Sequence, residues 1–123
     1  GWRYGDMPEV CRNYGLFPSM DDWRGKILLM ESCEEYMPPE TYKKALETLQ
    51  ETGVFDAVSG VLVGKPMDDM YHEEYKKLLV SIIANKELPI LCNINVGHAQ
   101  PRCILPFGVP AHVDADAQVI RFD

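Results

Sequence analysis

The chain has 123 residues, 46% of them apolar and 25% charged, enough for one domain that buries about two-thirds of its unfolded surface. Twelve Lys and Arg against 19 Asp and Glu leave a net charge of -7 with no basic block, which excludes a nucleic-acid backbone or an anionic membrane as the main partner. No apolar run approaches the ~20 residues of a membrane span, and the N-terminus lacks the basic start and apolar stretch of a secretory signal, so a soluble cytoplasmic protein is expected.

The first 25 residues carry Gly, Pro and aromatic side chains but little periodicity, and with Gly1 in place of Met they suggest a piece of a longer polypeptide. The first confident element is the apolar run Lys26 to Glu31, bounded by Gly25 and a polar cluster, which reads as a strand buried on both faces. Pro38 and Pro39 suit a helix start, Tyr42, Ala45, Leu46 and Leu49 recur at helical spacing, and Gly53 stands where a C-terminal cap is wanted. This predicts a helix over about 39–52. Val58 to Val63 reads as a second buried strand. Asp68 or Asp69 then caps a helix whose inner stripe is Tyr75, Leu78, Leu79, Ile82 and Ile83. Pro89 to Ile94 is a third strand, and the alternation of strands and helices predicts a parallel sheet with helical crossovers. Beyond the loop 95–101, Arg102 to Leu105, Ala111 to Asp114 and Gln118 to Phe122 read as short extended runs, the last two forming a terminal hairpin. The fold class expected is α/β, with a largely parallel sheet flanked by helices and a C-terminal β-hairpin.

In an open parallel sheet, ligands bind beyond the carboxyl ends of the strands. Here those ends bring Glu31 and Ser32, then Gly64 and Lys65, then Asn95 to His98 towards one edge, so that a carboxylate, an ammonium and an imidazole share it. Glu31 follows four apolar residues, where a carboxylate is poorly solvated unless something pairs with it; the alternative is that it simply leaves the strand into water. His98 lies between Gly97 and Ala99, small residues that let backbone approach a ligand, although a loop imidazole bonded to a carbonyl fits equally. Ser32 and Ser59 lack the small-residue elbow of a nucleophilic serine. Cys11, Cys33, Cys92 and Cys103 are too dispersed for a zinc ribbon or a CxxC pair and are expected as reduced thiols; Cys33 and Cys103 have no flanking pattern of a nucleophile. His72 falls on the polar side of its helix and His112 in the hairpin, without a second ligand at metal spacing, so neither metal nor cofactor is expected. Gly60 and Gly64 are spaced like part of a phosphate loop, but Lys65-Pro66 lacks the following Ser or Thr.

Three segments, Lys26 to Glu35 with its strand end at Glu31, Gly60 to Pro66, and Pro89 to Pro101 with its Gly-His-x-x-Pro element, resemble in order and spacing the C-terminal domain of the LD-carboxypeptidase family, particularly its microcin C immunity branch. The resemblance extends from about Gly5 to the C-terminus. It implies a swivelling-domain-like fold over 1–123, the C-terminal half of a two-domain serine peptidase. The nucleophilic serine and its oxyanion donors would lie in an N-terminal domain absent from this chain. Glu31 and His98 match the Glu and His of the triad, with Glu34 and Glu35 as neighbouring alternatives for the carboxylate. Lys65 and Ser32 are the further candidates for substrate contact; read alone they are a strand-end ammonium and a loop hydroxyl. The implied substrates are a muropeptide cut before a terminal D-alanine or a peptidyl or aminoacyl nucleotide cut at an amide, and the Gly-Lys-Pro element leans towards the second. The implied partners are the serine-bearing domain and, through apolar surface around Trp2, Tyr4, Tyr14, Leu16, Phe17 and Trp23, a second copy in a homodimer. The competing expectations are a non-catalytic regulatory or small-molecule-binding module and a flavodoxin-like nucleotide-binding domain.

Overall fold

A computed structural model describes residues 7–32 and 37–123. Helices α1 (Met7–Asn13) and α2 (Met20–Trp23) precede strand β1 (Ile27–Met30). Helices α3 (Pro39–Thr52) and α4 (Val54–Ala57) come next, then β2 (Gly60–Gly64), α5 (His72–Ile82), β3 (Ile90–Ile94), β4 (Ala111–Asp114) and β5 (Val119–Phe122). Strands β1, β2 and β3 form a parallel sheet in that spatial order, with β2 central, while β4 and β5 pair antiparallel as a separate hairpin. The α/β fold, its parallel sheet, flanking helices and terminal hairpin are those the sequence predicts.

Local chemistry explains most boundaries. Pro39 opens α3 and Gly53, at φ 83°, closes it. The first-turn position suits proline because its missing N–H would have no partner there. Val58 does not begin β2: its N–H still donates to the Val54 carbonyl at 3.1 Å, closing α4, and pairing starts at Gly60 opposite Ile27. Asp68 and Asp69 do not cap α5. They sit at φ 53° and 57° in a tight turn over Met67–Asp69, and Tyr71, at φ 59°, is the N-cap without a side-chain bond. The chain reverses there within a few residues of Pro66, and Asp tolerates the left-handed backbone this needs. Arg102 to Leu105 joins neither described sheet; Ile104 is 95% exposed, and Cys103 N–H donates instead to the Asn95 carbonyl at 2.6 Å.

The core lies on one face of the sheet, where α3 and α5 cover β2. Leu46, Val54, Phe55, Val61, Leu79 and Ile83 are almost fully buried, and Tyr42 stacks on Tyr75 with ring centroids 4.1 Å apart. On the other face, Ile27, Leu29 and Leu62 share an open cleft with Phe107, Val109 and Phe122. Phe17 and Trp23 pack against the core, with ring centroids 5.8 Å apart, whereas Tyr14 and Leu16 are exposed; Trp2 and Tyr4 lie outside the described residues. No described helix is long and apolar enough to cross a membrane.

Candidate active site

The parallel sheet delivers three chain segments to its carboxyl edge. Met30 pairs with Val63 and Gly64 with Ile94, so Glu31, Lys65 and Asn95 leave the sheet side by side. Lys65 N–H donates to the Ile94 carbonyl at 2.8 Å and ties the second and third segments together.

Between β2 and β3 the ladder carries a bulge: Leu62 to Gly64 is spanned by Leu91 to Ile94, one residue more. The extra residue falls beside Asn93, which adopts φ 65°. A bulge bends its strand and re-aims the chain beyond it. In this sheet the re-aimed segment is the loop carrying His98.

Two glycines let that loop close on Glu31. A Cβ on Gly64 would stand 2.9 Å from the Val96 carbonyl oxygen and 3.4 Å from the Glu31 Cβ. A Cβ on Gly97, at φ 91°, would stand 3.3 Å from the Glu31 Cβ and Cδ and would overlap carboxylate oxygen Oε2. The Glu31 carboxylate therefore lies against the backbone immediately before His98. Glu31 remains exposed, the second of the two placements its apolar run allows, because β1 is an edge strand of the sheet.

His98 is half-buried with its Nδ1 sealed from solvent. It joins Lys65, Met67, Asp69, Gln100 and Arg102 around an open cleft of about 460 Å³, within the size range of small-molecule sites. Lys65 keeps a quarter of its side chain exposed, and its Nζ stands 3.4 Å from Asp69 Oδ1. The strand-end ammonium and the loop imidazole thus share one cavity, while the Glu31 carboxylate lies against Gly97, the residue before His98 and outside the cleft lining.

Ser32 is placed differently. It is buried and lines a separate cavity of about 20 Å³, with Tyr42, His72, Tyr75 and Cys92. That volume suits one water rather than a substrate. Burial pushes the Cys92 thiol up, the Lys76 ammonium opposing it, and burial followed by Cys92 and Tyr75 pushes the Tyr42 phenol up. Both shifts favour the neutral forms of these groups near pH 7. His72 is half-buried with its Nε2 shielded from solvent and lines this cavity, and so does not lie on the polar face that its spacing predicts, whereas His112 is exposed in the hairpin, 3.0 Å from Asp123. Cys33, Glu34 and Glu35 lie outside the described residues.

None of the chain's four serines lines the cleft. Ser19 caps α2, Ser59 stands at the opposite end of β2, and Ser81 donates to the Leu78 carbonyl on α5. Cys103 is exposed, beyond the cleft lining. Among the described residues, no group of three or more His, Cys, Asp and Glu is arranged to hold a metal ion. The arrangement brings an imidazole and an ammonium to one cleft and a carboxylate to the loop beside it.

Residues 9–113 match the profile of the LD-carboxypeptidase C-terminal domain. The crystal structure of the MccF-like protein from Streptococcus pneumoniae in complex with AMP is similar at TM-score 0.90 and 56% identity, covering 98% of this chain and 35% of that one. The microcin C7 self-immunity protein MccF of Escherichia coli is 27% identical over 118 residues, 94% of this chain and 30% of its own length. A Streptomyces coelicolor protein that carries a carboxypeptidase name is 32% identical over 102 residues, 81% of this chain and 32% of its own length. The chain spans about a third of the length of the curated relatives it matches.

Proposed function

This chain belongs to the LD-carboxypeptidase family through its C-terminal domain, and on that premise we propose that it supplies the base and its orienting carboxylate to a serine hydrolase site completed by another domain. The observation that carries this reading is the convergence of Glu31 on the His98 loop, whose imidazole borders a cleft lined by none of the chain's serines. His98 takes the proton of the incoming serine hydroxyl as its oxygen bonds to the scissile carbonyl carbon. It returns that proton to the leaving nitrogen as the carbon–nitrogen bond breaks, and water then repeats the cycle on the acyl-enzyme. Glu31 holds the imidazole tautomer and stabilises its positive form. Lys65, a partly buried ammonium in the same cleft, meets the negative charge of the substrate.

The substrate proposed is a peptidyl or aminoacyl nucleotide cut at an amide. The similarity to the MccF-like protein crystallised with AMP supports this choice. The second reading, removal of a terminal D-alanine from a muropeptide, draws on the family's carboxypeptidase description and on the Streptomyces relative. The test is to incubate the full-length protein with an amide-linked peptidyl adenylate and, separately, with a muropeptide tetrapeptide, and to follow both by chromatography and mass spectrometry. Cleavage of the adenylate is the expected result. Release of D-alanine alone selects the second reading, and turnover of neither contradicts the hydrolase.

A further inference from the structure

Arg102 stands at the far foot of the His98 loop, and the chemistry above gives it no part. Its guanidinium turns back over the loop: Nη2 donates to the His98 carbonyl oxygen at 3.2 Å and Nε to the Ala99 carbonyl oxygen at 3.4 Å. One rigid, planar group thereby gathers the carbonyls of two consecutive residues, which an ammonium on a flexible stem does not reproduce.

The backbone hydrogen bonds that close the loop fall at its feet. Val96 N–H donates to the Ile94 carbonyl at 2.7 Å and Cys103 N–H to the Asn95 carbonyl at 2.6 Å. Between them, His98 must keep its ring aligned while Gly97 runs at φ 91° against the Glu31 carboxylate. The clasp therefore lies on the residue that carries the imidazole and on the buried Ala99 beside it.

We propose that Arg102 is a positioning residue for His98: by clasping the His98 and Ala99 carbonyls, it fixes the direction in which the imidazole is presented to the nucleophile. The proposal rests on His98 as the general base. Arg102 acts through the backbone and touches no reacting atom, so its removal should lower kcat and leave KM nearly unchanged.

The experiment uses the full-length protein and an amide-linked peptidyl adenylate, with His98→Ala, Arg102→Ala, Arg102→Lys and, as a surface control, Arg24→Ala. Arg24 is exposed and pairs with the exposed Asp21 on α2, so that control should match the parent. Misplacing a catalytic group by about 1 Å costs roughly 100-fold, so Arg102→Ala should lose about 10- to 100-fold in kcat with KM within about twofold. Guanidinium ion should restore much of that loss and methylammonium should not, a rescue that a general loss of folding would not show. Should Arg102→Ala fail to fold, Arg102→Lys carries the test, with a loss of about tenfold expected. Parent-like kcat in either folded variant, or a raised KM at unchanged kcat, overturns the proposal. If His98→Ala abolishes turnover while Arg102→Ala does not affect it, the positioning role fails and the base assignment stands. If His98→Ala is itself parent-like, the base assignment fails and takes the positioning role with it.

Discussion

At Gly97 two constraints meet on one residue: a left-handed backbone at φ 91°, and a neighbouring carboxylate oxygen in the space a Cβ would take. Gly97→Ala should therefore cost about 1–2 kcal/mol of stability through strain. It should also push the Glu31 side chain off the His98 loop, with a loss of roughly 100-fold in kcat for the full-length protein. Gly108 is the useful comparison, since it has φ 74° but open space, with nothing within 4 Å of where a Cβ would stand. Gly108→Ala should show a similar fall in melting temperature without the kinetic loss. Equal kinetics in both variants would dissociate Glu31 from the site. The arrival of Glu31 and His98 at one sheet edge is legible in the sequence, because Glu31 directly follows an apolar strand and His98 lies in the loop after another. The fit of the carboxylate against Gly97 is not, because it depends on the distance between β1 and a loop beyond β3.

At the scale of elements, β1, α3, α5, β3 and the hairpin arise from apolar runs, from a 3.6-residue stripe and from turn residues that agree with one another. The short helices α2 and α4 escape a periodicity search because a single turn is too short to show one, although Ser19 and Asp22 form a capping box that a local search would find. The bulge at Asn93 is a property of pairing between β2 and β3 and has no signature in one strand alone. Asp68 and Asp69 have the composition of caps, but the sharp reversal after Pro66 places them in a turn instead. Core packing sets the energetics of these elements. Leu46, fully buried on α3, should cost about 2–5 kcal/mol as Leu46→Ala, through lost burial and the cavity left behind. Val80, two-thirds exposed on α5, should change stability by less than about 0.5 kcal/mol as Val80→Ala. Urea denaturation of both variants checks this ordering, and equal midpoints would contradict the assigned core.

At the scale of the whole molecule, the carboxyl edge of one parallel sheet brings an imidazole and a carboxylate together, while none of the chain's serines lines the cleft beside that imidazole. The purified 123-residue chain should therefore cleave neither an amide-linked peptidyl adenylate nor a muropeptide, since covalent catalysis and oxyanion stabilisation would both be missing. Turnover by the chain alone, abolished by a substitution within it, would contradict a divided site. The most direct test of the central claim is the kcat of the full-length protein carrying His98→Ala, Glu31→Gln and both together. His98→Ala should lower kcat by roughly three to six orders of magnitude with little change in KM, because removal of a general base acts on the transition state. Glu31→Gln should be milder, and the double variant should lose little beyond His98→Ala, because the two residues act as one unit. A near-normal kcat in folded His98→Ala, or strictly additive losses in the double variant, would contradict the account.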